Sequence, residues 1–278
     1  MKITLLGTGA SDGIPGFFSH SEVSEHARQH GGKNIRSRAS ALINGELQID
    51  VAPECHHQLV RSGYRATDWT GVFFTHTHDD HFAYRELQYA LIPFVDEPFA
   101  PFTIYGNEVA LSAIAADYPD WPFEMVLSKS FEPIHHQQYT VTPIKAHHML
   151  EQDAHNFLIQ EGPTTLLYAT DTGVWEDRTW EFLQDFKVDG LIIESTDGIH
   201  KTPYYGHLDA RETVEVVGRL RQHGILRASA PIFTTHHAAA GGLNHDQLVD
   251  FFAPHGIDVG YDGLTFEIDG STPSPEPS

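Results

Sequence analysis

The 278-residue chain sets 38 Asp and Glu against 17 Lys and Arg, a formal charge of −21, and adds 20 His and a single cysteine. That balance argues against a nucleic-acid partner, whose phosphates demand clustered Lys and Arg, and favours a small substrate. Cys55 alone admits no disulfide, the opening MKITLLGTGAS lacks the long apolar stretch of a signal peptide, and no apolar run approaches the length of a bilayer span. The expectation is a cytoplasmic protein with no membrane partner. Absence of a composition break predicts one domain over residues 1–269, and the Pro and Ser rich stretch 270–278 reads as a disordered tail.

In chain order, Lys2 to Leu6 alternates as an opening strand and Gly7-Thr8-Gly9 breaks it into a tight loop. His20, His26 and His30 fall on what reads as a solvated helix face. Arg36 and Arg38 lead into a strand over Ser40 to Ile43 and read as a phosphate contact or a surface salt bridge. A strand over Glu46 to Val51 carries Asp50, and Cys55 to Ser62 follows as a helix turning Leu59 and Val60 inward. Thr70 to Thr75 reads as a buried strand. It ends in FFTHTHDDH, Phe73 to His81, which places His76, His78, Asp80 and His81 at one sheet edge. Residues two apart, such as His76 and His78, point the same way out of a strand and grip one ion, while Asp80 and His81 face a neighbouring position.

Tyr84 to Phe94 has helical spacing with Leu87, Ala90 and Leu91 on one face. The Pro and Phe rich stretch to Phe102 reads as a substrate-side loop or a homodimer contact. A strand at Phe102 to Tyr105 and a helix at Glu108 to Asp117 follow. Strands over Thr140 to Ile144 and Asn156 to Gln160 flank His147 and His148. A strand over Thr164 to Ala169 ends in Asp171, which by itself would read as a turn or N-cap aspartate. Leu191 to Glu194 is a buried strand, with His207 beyond a loop. Asp209 to Gln222 is an amphipathic helix with Val214, Val217 and Leu220 inward. Pro231 to Thr235 is a strand ending in His236-His237. Ile257 to Tyr261 and Leu264 to Ile268, joined by Asp262-Gly263, read as a closing hairpin.

The HxHxDH run at His76 to His81 resembles the signature of the metallo-β-lactamase-fold hydrolases, and further segments extend the likeness over nearly the whole chain. It implies an αββα sandwich of two mixed β-sheets flanked by helices, with metals where strand ends meet. The Gly7 to Pro15 pattern GTGxxxGxP resembles the family's loop at the mouth of the site. Aligned on Val141-Thr142-Pro143, the third imidazole of a first metal falls on His148, with His147 one residue away as the alternative. In YATDTG, Asp171 matches the aspartate that bridges two ions, and His236 after Thr235 matches the last ligand. The resemblance leaves Asp50 either buttressing a ligand histidine or serving as a turn aspartate. His237, His245 and His255 are expected to be bystanders.

The implied set is therefore His76, His78 and His148 on one divalent ion, Asp80, His81 and His236 on a second, and Asp171 between them. The chemistry of imidazole and carboxylate suits zinc, manganese or iron. Glu194 and His207 resemble a pair shared by the tRNA 3′-processing and cyclic phosphodiesterase branches, and with Asp80 they make up the expected catalytic residues. A bridging hydroxide would attack a small cyclic or diester phosphate while His207 serves the departing oxygen. The likeness is nearest to the phosphoribosyl cyclic phosphodiesterases, although the cysteines that hold a structural zinc there are missing between Phe17 and Ser40. A tRNA-processing endonuclease, a lactone or thioester hydrolase, and a non-catalytic metal sensor are the alternatives. A β-lactamase fits less well, because that branch usually has cysteine in the place of Asp171.

Overall fold

The β-branched and aliphatic runs pair into two sheets in the computed structural model, which describes residues 1–95 and 102–270. Strands β1 (Lys2–Gly7), β2 (Ser40–Ile43), β3 (Leu47–Ile49), β4 (Gly71–Phe73), β5 (Thr103–Gly106) and β6 (Met125–Leu127) belong to the first. The second takes β7 (Ile134–His136), β8 (Tyr139–Lys145), β9 (His155–Glu161), β10 (Thr164–Ala169), β11 (Gly190–Glu194), β12 (Ile232–Thr235) and β13 (Asp258–Val259), while β14 (Thr265–Glu267) returns to the first. The orders are β14-β1-β2-β3-β4-β5-β6 and β13-β12-β11-β10-β9-β8-β7. Each sheet is mixed. β14 through β3 pair antiparallel and β3 through β6 parallel, and the second sheet repeats the scheme with β7 through β10 antiparallel and β10 through β13 parallel.

Between the sheets lies a layer built from Ile3, Ile43 and Phe73 on one side and Phe157, Tyr168 and Ile192 on the other. Phe73 stacks on Tyr105 with ring centroids 4.0 Å apart. Helices α2 (Cys55–Ser62) and α3 (Glu108–Asp117) cover the outer face of the first sheet through Leu59 and Ile114. The second is covered by α4 (Asp177–Leu183), α5 (Ala210–Gln222) and α6 (His245–Phe252), whose Trp180, Leu220 and Phe252 are buried. Strands β10 and β11, apolar on both faces, are sandwiched between these layers, as parallel strands require. Helix α5 begins at a capping box in which Asp209 and Glu212 exchange backbone hydrogen bonds. The short α1 (Glu22–His30) packs Val23 and Ala27 on Ile14 and Ala239 and leaves His30 exposed.

Several expectations are corrected. The closing hairpin does not form, because β13 pairs with β12 in one sheet and β14 with β1 in the other. Asp262 at the crossing point accepts hydrogen bonds from Thr8 Oγ1, Ser37 N and Ser37 Oγ, which pins the chain where it changes layers. The segment after the His-rich turn is a 3₁₀ helix over Tyr84–Ala90 rather than a longer helix. Val60 on α2 points to solvent, one position past the face that buries Leu59. Arg36 is neither a surface ion pair nor open to a phosphate. It is 3% exposed, and its guanidinium donates to Thr8 Oγ1, Gly260 O and His245 Nδ1, tying β1's loop to the last strands. Residues 96–101 of the Pro and Phe rich stretch and 271–278 of the expected tail lie outside the described residues. No described helix is long and apolar enough to cross a membrane.

Candidate metal centre

The parallel halves of the two sheets, together with β8 from the antiparallel half of the second, aim their carboxyl ends at one crevice, the place where open α/β sheets present side chains to ligands. Asp50 follows β3, His76 to His81 follow β4, His148 follows β8, Asp171 follows β10, Glu194 ends β11 and His236 follows β12. Three of these residues, Asp50, Asp171 and His236, have φ of 57°, 51° and 56°. A left-handed residue just past a strand swings its side chain out of the sheet into the crevice, at a cost of about 1–3 kcal/mol that the surrounding packing supports.

Two nitrogen clusters result. His76 Nε2 lies 3.0 Å from His78 Nδ1, and His148 Nε2 lies 3.1 Å from that same atom. In the second cluster His81 Nε2 is 3.3 Å from His236 Nε2 and 3.2 Å from Asp80 Oδ2. Asp171 stands between them. Its Oδ2 is 2.9 Å from His81 Nε2 and 3.2 Å from His236 Nε2, while Oδ1 is 3.7 Å from His148 Nε2. The ligand atoms of each group lie within 4.8 Å of one another.

Hydrogen bonds behind the rings decide which nitrogen faces the crevice. His81 Nδ1 donates to Asp50 Oδ2 at 2.7 Å, and His148 Nδ1 donates to Gly206 O at 2.9 Å. His76 Nδ1 meets Thr75 Oγ1 at 2.9 Å, and that hydroxyl donates to Asp50 Oδ2 at 2.8 Å. The same relay recurs at the second cluster, where His236 Nδ1 meets Thr196 Oγ1 at 2.9 Å and that hydroxyl donates to Glu194. A hydroxyl that gives its proton to a carboxylate accepts from the imidazole, so four Nδ1 atoms carry protons and four Nε2 lone pairs point inward. Lone pairs 3.3 Å apart beside two carboxylates repel one another unless a cation or a proton sits among them. The donor set therefore fits divalent cations, and N and O donors in this arrangement suit zinc and its first-row neighbours.

The titration directions agree. Burial, with the charge of His81 behind it, holds His76 well below the ordinary imidazole range, and burial also lowers His148. Burial disfavours a charged His81 as well, but Asp171, Asp80 and Asp50 outweigh it and raise the group far above that range.

His207 stands beside the pair of clusters with its Nδ1 3.0 Å from Glu194 Oε1 and 3.9 Å from Asp171 Oδ1. Burial opposes its charge, yet the Glu194 carboxylate and its hydrogen bond prevail and push His207 up to about 9. Nδ1 is committed to Glu194, and among the described residues Nε2 has no hydrogen-bond partner. Glu194 is fully buried and also accepts from the backbone N–H groups of Thr172, Thr196 and Leu208, so it fixes the residues following Asp171 and His207 together.

The structure brings His76, His78, Asp80, His81, His148, Asp171, Glu194, His207 and His236 together at one crevice, and His148 rather than His147 joins the imidazole cluster. His147 turns aside, its Nδ1 3.6 Å from Glu176 Oε1 and its ring against Tyr205. His237 is buried against Thr234 Oγ1 and His245 against Arg36, both apart from the crevice. The sequence reading missed Thr75 and Thr196. Each stands one residue from a recognised group or two, in Thr75-His76 and Glu194-Ser195-Thr196, and that adjacency was the available signal. It left open whether Asp50 buttresses a ligand, which its bonds to His81 and Thr75 now place it to do.

Comparison with known proteins adds a family. The model of the Beta-lactamase superfamily domain matches residues 47–228. A diphosphatase of the PhnP family superposes with a TM-score of 0.75 at 21% identity, over 96% of this chain and 97% of its own. Zinc-bound PqqB from Methylobacterium extorquens gives 0.76 at 14% identity, over 96% and 100%. The short form of human tRNase Z gives 0.64 at 18%, over 97% and 100%. At these identities the likeness is one of fold. An octanoyltransferase of Porphyromonas gingivalis is 24% identical over 97% of this chain, which spans only 52% of that relative's length.

Proposed function

We propose that this chain, which belongs to the beta-lactamase superfamily, is a dinuclear metal-dependent hydrolase that cleaves a small cyclic or diester phosphate. His76, His78 and His148 would hold one ion, Asp80, His81 and His236 the other, and the two oxygens of Asp171 would serve both. Bound divalent cations supply acidified water and draw charge from a phosphoryl oxygen.

The remaining work falls to the chain itself. Asp50 and Glu194, through Thr75 and Thr196, hold the ligand imidazoles in one tautomer so that no reorganisation is needed on binding. His207 carries a proton that Glu194 stabilises, and gives it from Nε2 to the departing alkoxide. Glu194 stays ionised and keeps the ring in place. The carrying observation is this pair, 3.0 Å apart beside Asp171, because a protein that merely stored or sensed metal has no use for a poised donor.

The PhnP-family neighbour is a diphosphatase, which supports phosphoryl hydrolysis as the chemistry of such a centre. Human tRNase Z supports it too, although a charge of −21 is poorly matched to a tRNA. The test is metal analysis of the purified protein together with turnover of bis(p-nitrophenyl) phosphate, phosphoribosyl cyclic phosphate, a lactone, an octanoyl thioester and a β-lactam. Phosphodiester hydrolysis that falls about 100-fold to 10,000-fold in His207→Ala with the metal retained supports the reading. Turnover of a lactone or thioester alone overturns it.

A further inference from the structure

The crevice has a wall that the chemistry described so far does not use. Between Glu194 and His207 the chain loops outward and returns through Tyr204, Tyr205 and Gly206. The return is clamped to the strand end bearing Asp171, because Gly173 packs so closely on the Tyr205 carbonyl that a side chain there would collide with it. Gly206 in turn leaves room for the Tyr204 ring, which an added Cβ would strike. So placed, that ring stands edge-on to two members of the site, with its centroid 5.4 Å from His207 and 5.7 Å from His148. Tyr205 stacks behind it at 5.6 Å and 29°.

Tyr204 is 40% exposed and Tyr205 55%. The Tyr204 hydroxyl lies 3.4 Å from His148 Nδ1, a nitrogen already engaged by Gly206 O at 2.9 Å, and also meets the backbone of Met149. A large ring held rigidly, half in water, against the proton donor has surface to offer a ligand. Arg38, the basic side chain that acts on Asp12, is paired with Glu54. Asp12, close enough to feel Asp80 and His236, adds negative charge instead. The exposed face of Tyr204 beside His207 is then available for apolar contact beyond the phosphoryl group.

We infer that Tyr204 is a specificity-determining platform on which a planar aromatic ring of the substrate stacks, so that the phosphodiester cleaved here carries such a ring, a nucleobase being the group of matching size and chemistry. The inference rests on the phosphodiester reading. Stacking of a base on an aromatic side chain is sequence-tolerant and corresponds to about 10-fold to 100-fold in affinity, and rigid clamping at Gly173 and Gly206 keeps the ordering cost of the platform small.

The test compares adenosine 2′,3′-cyclic phosphate with the base-free ribose cyclic phosphate on the metal-loaded wild type, Tyr204→Ala and Tyr204→Phe. In parallel, calorimetry measures binding of adenosine monophosphate and of ribose phosphate to the same proteins. Tyr204→Ala is expected to raise KM for the adenosine substrate and weaken adenosine monophosphate binding about 10-fold to 100-fold, with kcat and the base-free ligands changed less than about 2-fold. Tyr204→Phe should match the wild type. Equal losses on both substrates, a loss in Tyr204→Phe as large as in Tyr204→Ala, or a wild type without preference for the base overturns the platform. If the wild type cleaves neither phosphate, the phosphodiester reading fails separately, and selective binding of adenosine monophosphate that depends on Tyr204 still decides for or against the stacking surface.

Discussion

Asp50 offers no ligand atom of its own, yet it reaches both nitrogen clusters through His81 and Thr75, and Asp50→Asn isolates that control. Its carboxylate accepts from His81 Nδ1 at 2.7 Å, Thr75 Oγ1 at 2.8 Å and Thr75 N at 2.8 Å. Asparagine keeps the shape and tolerates the left-handed φ of 57°, so backbone strain does not confuse the result. What changes is the acceptor count. An amide has one oxygen where the carboxylate has two, and its NH2 group must face a donor. One of three fully buried donors is left without a partner, which costs about 1–3 kcal/mol. With the amide oxygen in the place of Oδ2 the orphan is Thr75 N, and the rings of His81 and, through Thr75, of His76 exchange a charged acceptor for a neutral one. Disturbing such support typically weakens metal binding about 10-fold to 100-fold. One ring lies in each cluster, so both cation positions should weaken. The assay is zinc content by mass spectrometry after dialysis against a series of buffered free-zinc concentrations, with a melting curve of each form. Unchanged loading across that series, or an equal drop in melting temperature with and without metal and no change in affinity, would refute the reasoning.

Two further outcomes follow from the same geometry. Arg36→Met should leave KM unchanged, because the guanidinium is buried away from the crevice, while stability falls by several kcal/mol as Thr8, Gly260 and His245 lose their donor; a rise in KM without loss of stability in chemical denaturation would return Arg36 to substrate binding. In the metal-free protein, His207 should titrate near 9 by NMR. Its folded value lies above the unfolded one of about 6.5, so the stabilisation is fully present below about 6.5 and is lost as pH rises through 9, amounting to about 3 kcal/mol at most. Comparing the pH dependence of unfolding of metal-free wild type and His207→Gln isolates this contribution from that of His81, and parallel curves would contradict it.

Local order along the chain was enough to reveal the chemistry. His76, His78, Asp80 and His81 declare themselves because a strand's two-residue alternation and the turn after it put ligand atoms together without help from distant residues. Asp171, Glu194 and His236 stand at the ends of apolar strands, but it was the resemblance to the metallo-β-lactamase-fold hydrolases that marked them as site residues; by itself Asp171 reads as a turn or N-cap aspartate. The amphipathic helix over Asp209 to Gln222 could be read from its apolar spacing alone, and the structure makes Asp209 its cap.

Packing decided the rest. Whether residue 147 or 148 enters the cluster depends on how the chain leaves β8 against the Thr172 hydroxyl and Gly206 carbonyl, contacts 25 and 58 positions away. The tail of the chain splits its last strands between two sheets, although its turn signal is that of a hairpin, because Asp262 is held by Thr8 and Ser37 from the opposite end of the sequence. Thr75 and Thr196 become part of the centre only when Asp50 and Glu194 come up behind them from neighbouring strands. Sequence fixes which atoms a residue can offer; the stacking of one sheet on the other fixes which partner stands opposite, and burial of that partner away from water is what turns an ordinary threonine or arginine into a determinant of the site.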